Sequence, residues 1–142
     1  MTTVQQLLNE KGHDVLSIHP DDSVFDAIQL MAKENVGALV VMENNRPVGI
    51  FTERHYARSV FLKGKSSPKT RTREIMTTDV VCARPEQTVE ECMAVMTSKR
   101  VRHLPVLYEA RLVGIVSIGD LVKSIIEDQN FAIEQLEHCI RG

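Results

Sequence analysis

The run Val48, Gly49, Ile50, Phe51, Thr52 decides the fold, because it recurs 65 residues later as Val113, Gly114, Ile115, Val116, Ser117. Outward from that run the register holds without a gap over residues 16–56. It pairs Pro20 with Pro85, Val24 with Val89, Met31 with Met96 and Val36 with Val101. It continues through Leu39 and Leu104, Val41 and Val106, Arg46 and Arg111. One register kept over so long a stretch, with its prolines and glycines aligned, marks an internal duplication.

Each copy reads as the same string of elements. A short strand (residues 16–18 and 80–83) leads through a proline to a helix start. Ser23 with Asp26, and Thr88 with Glu91, fit the capping box, in which a hydroxyl satisfies an orphan helix N–H. Val24, Ala27, Ile28, Met31 and Val89, Cys92, Met93, Met96 then fall on one helical face. Two β-rich runs follow, residues 38–42 with 48–52 and 106–108 with 112–117, close enough for hairpins. Tyr56, Ala57, Val60, Phe61 and Leu121, Val122, Ile125, Ile126 predict a closing helix. The class is α/β (α+β), with β-α-β-β-α twice and a helix at each terminus.

The predicted organisation is a helical segment over 1–13, repeats over 14–63 and 74–127, a linker over 64–73 and a helical tail over 128–142. Residues 64–72 contain no apolar side chain and read as a solvated connection. Phe131, Ala132, Ile133, Leu136 and Ile140 continue an apolar stripe past the second repeat.

The formal net charge of -2 exerts no global pull toward nucleic acid or membrane. No apolar run has the length of a membrane span, and the start of the chain does not read as a secretion signal. Cys82, Cys92 and Cys139 form no C-x-x-C pair, which suits a reducing, cytoplasmic setting and argues against a zinc site. No Ser–His–acid or metal-spaced histidine set stands out, so the chain reads as a non-enzyme without a catalytic cofactor.

The segment from Leu112 to Leu121, preceded by Arg102, His103, Leu104, Pro105 and Val106, resembles a cystathionine β-synthase (CBS) domain. Its mark is Gly-h-h-S/T-x-x-D after an apolar strand, complete here in Gly114, Ser117 and Asp120. The first copy keeps Gly49 and Thr52 but has His55 at the Asp position. Ile75, Met76, Thr77 before the second copy is also typical. The resemblance implies a tandem (Bateman) module with pseudo-twofold symmetry and two clefts between the copies. In relatives these clefts hold AMP, ATP, NAD(H) or S-adenosylmethionine as regulatory ligands, and relatives usually form homodimers.

An adenosine ligand needs a carboxylate for its ribose hydroxyls, a hydroxyl for sugar or phosphate, and cations for phosphate. The resemblance assigns Asp120 to the ribose and Ser117 to the hydroxyl. Lys123, Arg102 and His103 are placed to reach the same ligand. By spacing alone, Ser117 with Asp120 is also an ordinary capping box. In the first copy Thr52, Arg54, His55 and Arg58 are the counterparts, and His55 either donates to a phosphate or faces solvent. Gly37 and Ala38 lie where relatives approach the adenine with backbone. Ser17, Pro20, Cys82 and Pro85 flank the clefts in relatives. A nucleic-acid-binding or protein-interaction module is the rival reading, resting on the basic stretch 46–73, which carries Arg46, Arg54, Arg58, Lys63, Lys65, Lys69, Arg71 and Arg73.

Overall fold

The protein is described by a computed structural model covering residues 1–141. It divides into two compact units. One contains residues 15–80 and 110–112, essentially the first repeat. The other joins Met1–Asp14 to Val81–Glu109 and the chain from Val113 on.

In the first-repeat unit, β1 (Ser17–Ile18) lies parallel to β2 (Ala38–Glu43), which pairs antiparallel with β3 (Arg46–Thr52). Helix α2 (Val24–Glu34) starts where the Ser23 hydroxyl accepts from the Asp26 N–H, and it ends on left-handed Asn35. Its face of Val24, Ala27 and Met31 packs with Leu39, Val41, Phe51 and Val60. The closing helix departs from expectation. After α3 (Glu53–Tyr56) the chain widens into a π-helical turn over Ala57–Phe61. Within it Val60 is buried and Phe61 is exposed, as Ile126 is at the matching place of the second copy.

The second-repeat unit contains α1 (Val4–Lys11), α5 (Val89–Lys99), β4 (His103–Tyr108), β5 (Arg111–Ser117) from Val113 on, and α6 (Ile118–Arg141). Its core joins Val4, Leu7 and Leu8 of α1 to Val89, Cys92, Met96, Leu104, Val106, Val116 and Leu121. Burial pushes the Cys92 thiol up to about 11, as a packing role implies.

The strand predicted at 80–83 is absent as a strand. A single parallel bridge joins Ala83 to Val106. The cause is Pro105. Its repeat counterpart, Val40, donates its N–H to the Leu16 carbonyl, and proline has no N–H to extend the ladder in the same way. Both hairpins turn on two residues in the left-handed region: Asn44 and Asn45 at φ 53° and 62°, Glu109 and Ala110 at 51° and 64°. Two such residues are what the tight I′ turn requires. Helix α6 runs unbroken to Arg141, and Phe131, Ile133, Leu136 and Ile140 are all exposed.

The segment preceding each repeat covers the other repeat's unit in a matching way. Thr70 accepts from the Val24 N–H as Thr2 accepts from Val89. The N–H of Arg73 donates to Pro20 as that of Gln5 donates to Pro85. Arg71 bridges Ser23 as Thr3 bridges Thr88. The connection therefore is not wholly solvated. Thr70 and Thr72 are buried, with the Thr72 hydroxyl donating to the Asp22 carbonyl at 3.0 Å.

This covering explains the motif glycines. A Cβ on Gly49 would lie 2.7 Å from Met76 Sδ and 2.9 Å from the Thr77 carbonyl oxygen. On Gly114 it would lie 2.7 Å from a Leu8 methyl. Close approach, not backbone freedom, demands glycine at both places.

Candidate ligand site

The start of α6 is a reciprocal capping box. The Ser117 hydroxyl accepts from the Asp120 N–H at 3.1 Å, and Asp120 Oδ2 accepts from the Ser117 N–H at 2.8 Å. The N–H of Ile118 donates to the Arg102 carbonyl at 2.9 Å, which ties the entry of β4 to the same helix end.

Asp120 has a further partner that sequence reasoning missed. Lys11 Nζ, at the last turn of α1, lies 2.5 Å from Asp120 Oδ2 and donates to the Ile115 carbonyl at 2.7 Å. Burial of Asp120 opposes ionisation. The bonds from Lys11 and Ser117 outweigh it and hold the carboxyl below its usual range. Asp120 is therefore a half-buried carboxylate. Both bonds meet at Oδ2, and among the described residues Oδ1 accepts none.

His103, the first residue of β4, is held below the ordinary imidazole range first by burial and then by the Lys11 charge, against the pull of Asp120. Arg102 is exposed. Lys123, expected to reach a phosphate, is instead on the outer face of α6, 4.0 Å from Glu127 and largely exposed. The cation beside Asp120 is Lys11.

The first repeat repeats the geometry with other chemistry. The Thr52 hydroxyl accepts from the His55 N–H at 3.3 Å, and His55 Nδ1 accepts from the Thr52 N–H at 3.1 Å. His55 Nε2 lies 2.7 Å from Thr77 Oγ1. The imidazole is lowered below its ordinary pKa by burial, then by Arg54 and Arg58. In place of a phosphate donor or a solvent-facing ring, the structure shows His55 as a capping group with both ring nitrogens engaged. The N–H of Glu53 donates to the Gly37 carbonyl as Ile118 does to Arg102. Ala38 is buried and pairs with Thr52, and Arg54 and Arg58 are exposed.

The remaining candidates have structural surroundings. Ser17 pairs with Val40 in β1. Pro20 and Pro85 are buried, and their carbonyls hold the covering segments. Cys82 is half-buried, and burial raises its thiol. Within the basic stretch, Arg73 pairs with Asp21 at 3.1 Å and Glu43 at 3.4 Å, and Arg71 approaches Asp21. Part of that charge is thus neutralised locally. Among the described residues no cluster of His, Cys, Asp or Glu could hold a metal, and no helix is long and apolar enough to cross a membrane.

The family model of the CBS domain matches twice, over residues 6–61 and 73–127. The chain belongs to the CBS-domain family. It is a tandem CBS pair, and such a pair is a regulatory module. The mitochondrial CBS domain-containing protein CBSX3 of Arabidopsis thaliana is 36% identical over 99% of this chain and 73% of its own length. A protein with CBS domains from Burkholderia ambifaria is 50% identical in structural alignment. It covers 90% of this chain and 96% of its own, with a TM-score of 0.87. The CBS pair of MJ0100, solved with 5-methylthioadenosine and S-adenosyl-L-methionine, shares the fold. Its TM-score is 0.79 at 24% identity, over 90% of this chain and 98% of its own.

Proposed function

We propose that this CBS pair senses an adenosine compound and reports its presence through shape or partner affinity, without a reaction of its own. The observation that carries the reading is Asp120: a half-buried, ionised carboxylate with Oδ1 open to an acceptor role beside a helix start. Such a group suits a vicinal diol, because hydrogen bonds to a charged acceptor are worth roughly 1.5–3 kcal/mol each. The ligand classes are AMP, ATP, NAD(H) and S-adenosylmethionine, and a protein of this fold has been solved with two adenosine compounds. Ser117, Arg102 and His103 belong to the same site. Thr52, Arg54, Arg58, Gly37 and Ala38 belong to its first-repeat counterpart, where His55 contributes structure rather than charge. The working form is a homodimer in a reducing compartment, the cytoplasm in our reading.

A thermal-shift panel with AMP, ATP, NADH and S-adenosylmethionine tests this. A ligand at 100 times its Kd adds about 2.7 kcal/mol to stability. That is a rise of several degrees in a chain of this size. No shift with any of them overturns the reading. A shift with a DNA or RNA oligonucleotide alone favours the basic stretch instead.

A further inference from the structure

The covering segments of the two units are not equal. Matched through their bonds to Pro20 and Pro85, Arg73 corresponds to Gln5 and Met76 to Leu8. From that common point, α4 (Thr72–Ile75) ends at once, whereas α1 continues to Lys11 before turning at Gly12. The additional turn carries Lys11 to the capping carboxylate of its unit. In the other unit the capping imidazole meets only the neutral hydroxyl of Thr77.

Lys11 does not depend on Asp120 for its position. Helix α1 is anchored by Val4, Leu7 and Leu8 in the core, by a capping box at Thr3, and by backbone bonds from Val4 to Gln87 and from Gln5 to Pro85. The ammonium has three donors. One goes to Asp120 and one to the Ile115 carbonyl, and among the described residues the third has no acceptor.

We infer that Lys11 selects the ligand of this site by the charge on its 5′ carbon, accepting a nucleoside 5′-phosphate and disfavouring a 5′-sulfonium. The inference rests on the reading that Asp120 takes the ribose hydroxyls. The 5′ substituent hangs from the same sugar ring as that diol, so a cation bonded to the diol's acceptor lies on the sugar's own scale from it. The third N–H then meets a phosphate oxygen in a charge-assisted bond. A sulfonium in the same place puts two positive charges together. Of the adenosine compounds the family takes, this favours AMP and its longer phosphates over S-adenosylmethionine.

Titration calorimetry with adenosine, AMP and S-adenosylmethionine on wild type, Lys11→Met and Lys11→Arg tests it. Wild type binds AMP most tightly. Lys11→Met weakens AMP at least fivefold relative to adenosine and narrows the gap between AMP and S-adenosylmethionine. Lys11→Arg keeps the preference. A preference for AMP over adenosine that changes less than fivefold in Lys11→Met overturns the inference, as does tighter binding of S-adenosylmethionine than of AMP to wild type. Lys11→Gln serves in place of Lys11→Met if the latter fails to fold. Failure of the ribose reading has a separate signature: Asp120→Asn leaves adenosine affinity unchanged.

Discussion

Thr77 Oγ1 sits 2.7 Å from His55 Nε2, in the position where the other unit sets a lysine ammonium against a carboxylate. Because His55 Nδ1 accepts from the Thr52 N–H, the ring's proton resides on Nε2, which donates to the threonine oxygen. A second proton would have to break the cap. Burial and two arginines oppose it as well.

Stability should therefore fall on mild acidification. His55 in the fold lies below its unfolded value of about 6.5. The unfolded chain binds more protons just below that pH, so the stabilisation is full above about 6.5 and is lost as pH falls toward the folded value. His103 shifts in the same direction and adds to the loss. Urea unfolding at pH 7.5 and 5.5 should show a lower midpoint at 5.5, with a smaller drop in His55→Gln. Equal drops in both proteins would remove His55 from the account.

Asp120→Ala should abolish ribose-dependent binding while the fold survives. The change removes a cap worth about 1 kcal/mol and a part-exposed ion pair worth at most about as much. Far-UV dichroism should be unchanged and the melting temperature a few degrees lower. Calorimetry should register no adenosine binding at the second-repeat site.

Gly49→Ala should destabilise more than Gly114→Ala. Overpacking costs about 1–3 kcal/mol, and the difference lies in what must move. At Gly114 the obstacle is the end of the Leu8 side chain. At Gly49 it includes the Thr77 carbonyl oxygen, which accepts the Ile50 N–H. Thermal unfolding of the two variants checks the order.

Ala110→Gly should stabilise. Ala110 holds φ at 64°, where a side chain costs roughly 1–2 kcal/mol and glycine does not. Glycine's greater freedom when unfolded takes back part of that. The net is about 0.5–1 kcal/mol, a rise of a few degrees in melting temperature.

The chain should weigh twice its 16.0 kDa in solution. Ile126, Ile133, Leu136 and Ile140 of α6 are exposed at spacings of seven, three and four, the seam of a two-helix contact. Light scattering should give the dimer mass for wild type and the monomer mass for Ile133→Glu with Leu136→Glu. A monomeric wild type at micromolar concentration contradicts the assembly.

Whatever is local or repeated was legible in the residues themselves. The duplication, the hydroxyl cap at Ser23, the capping boxes at Thr88 and Ser117, and the leading helix at Val4, Leu7 and Leu8 depend on spacings of three, four or 65 residues, which a single chain displays. What one residue does to a partner strand was less visible. Pro105 stands where Val40 donates, and it reduces a predicted strand to one bridge because the missing N–H matters only once a neighbouring segment lies beside it. The identity of the cation at Asp120 belonged wholly to tertiary structure. Lys123 is one turn away in sequence but points along the outside of α6, whereas Lys11 is 109 residues away and arrives because α1 packs on Gly114. The reason is the length scale of the interaction. A capping box closes within four residues, so its members are written side by side. An ion pair needs only proximity in space, and proximity between distant residues is decided by which helix the core can bury.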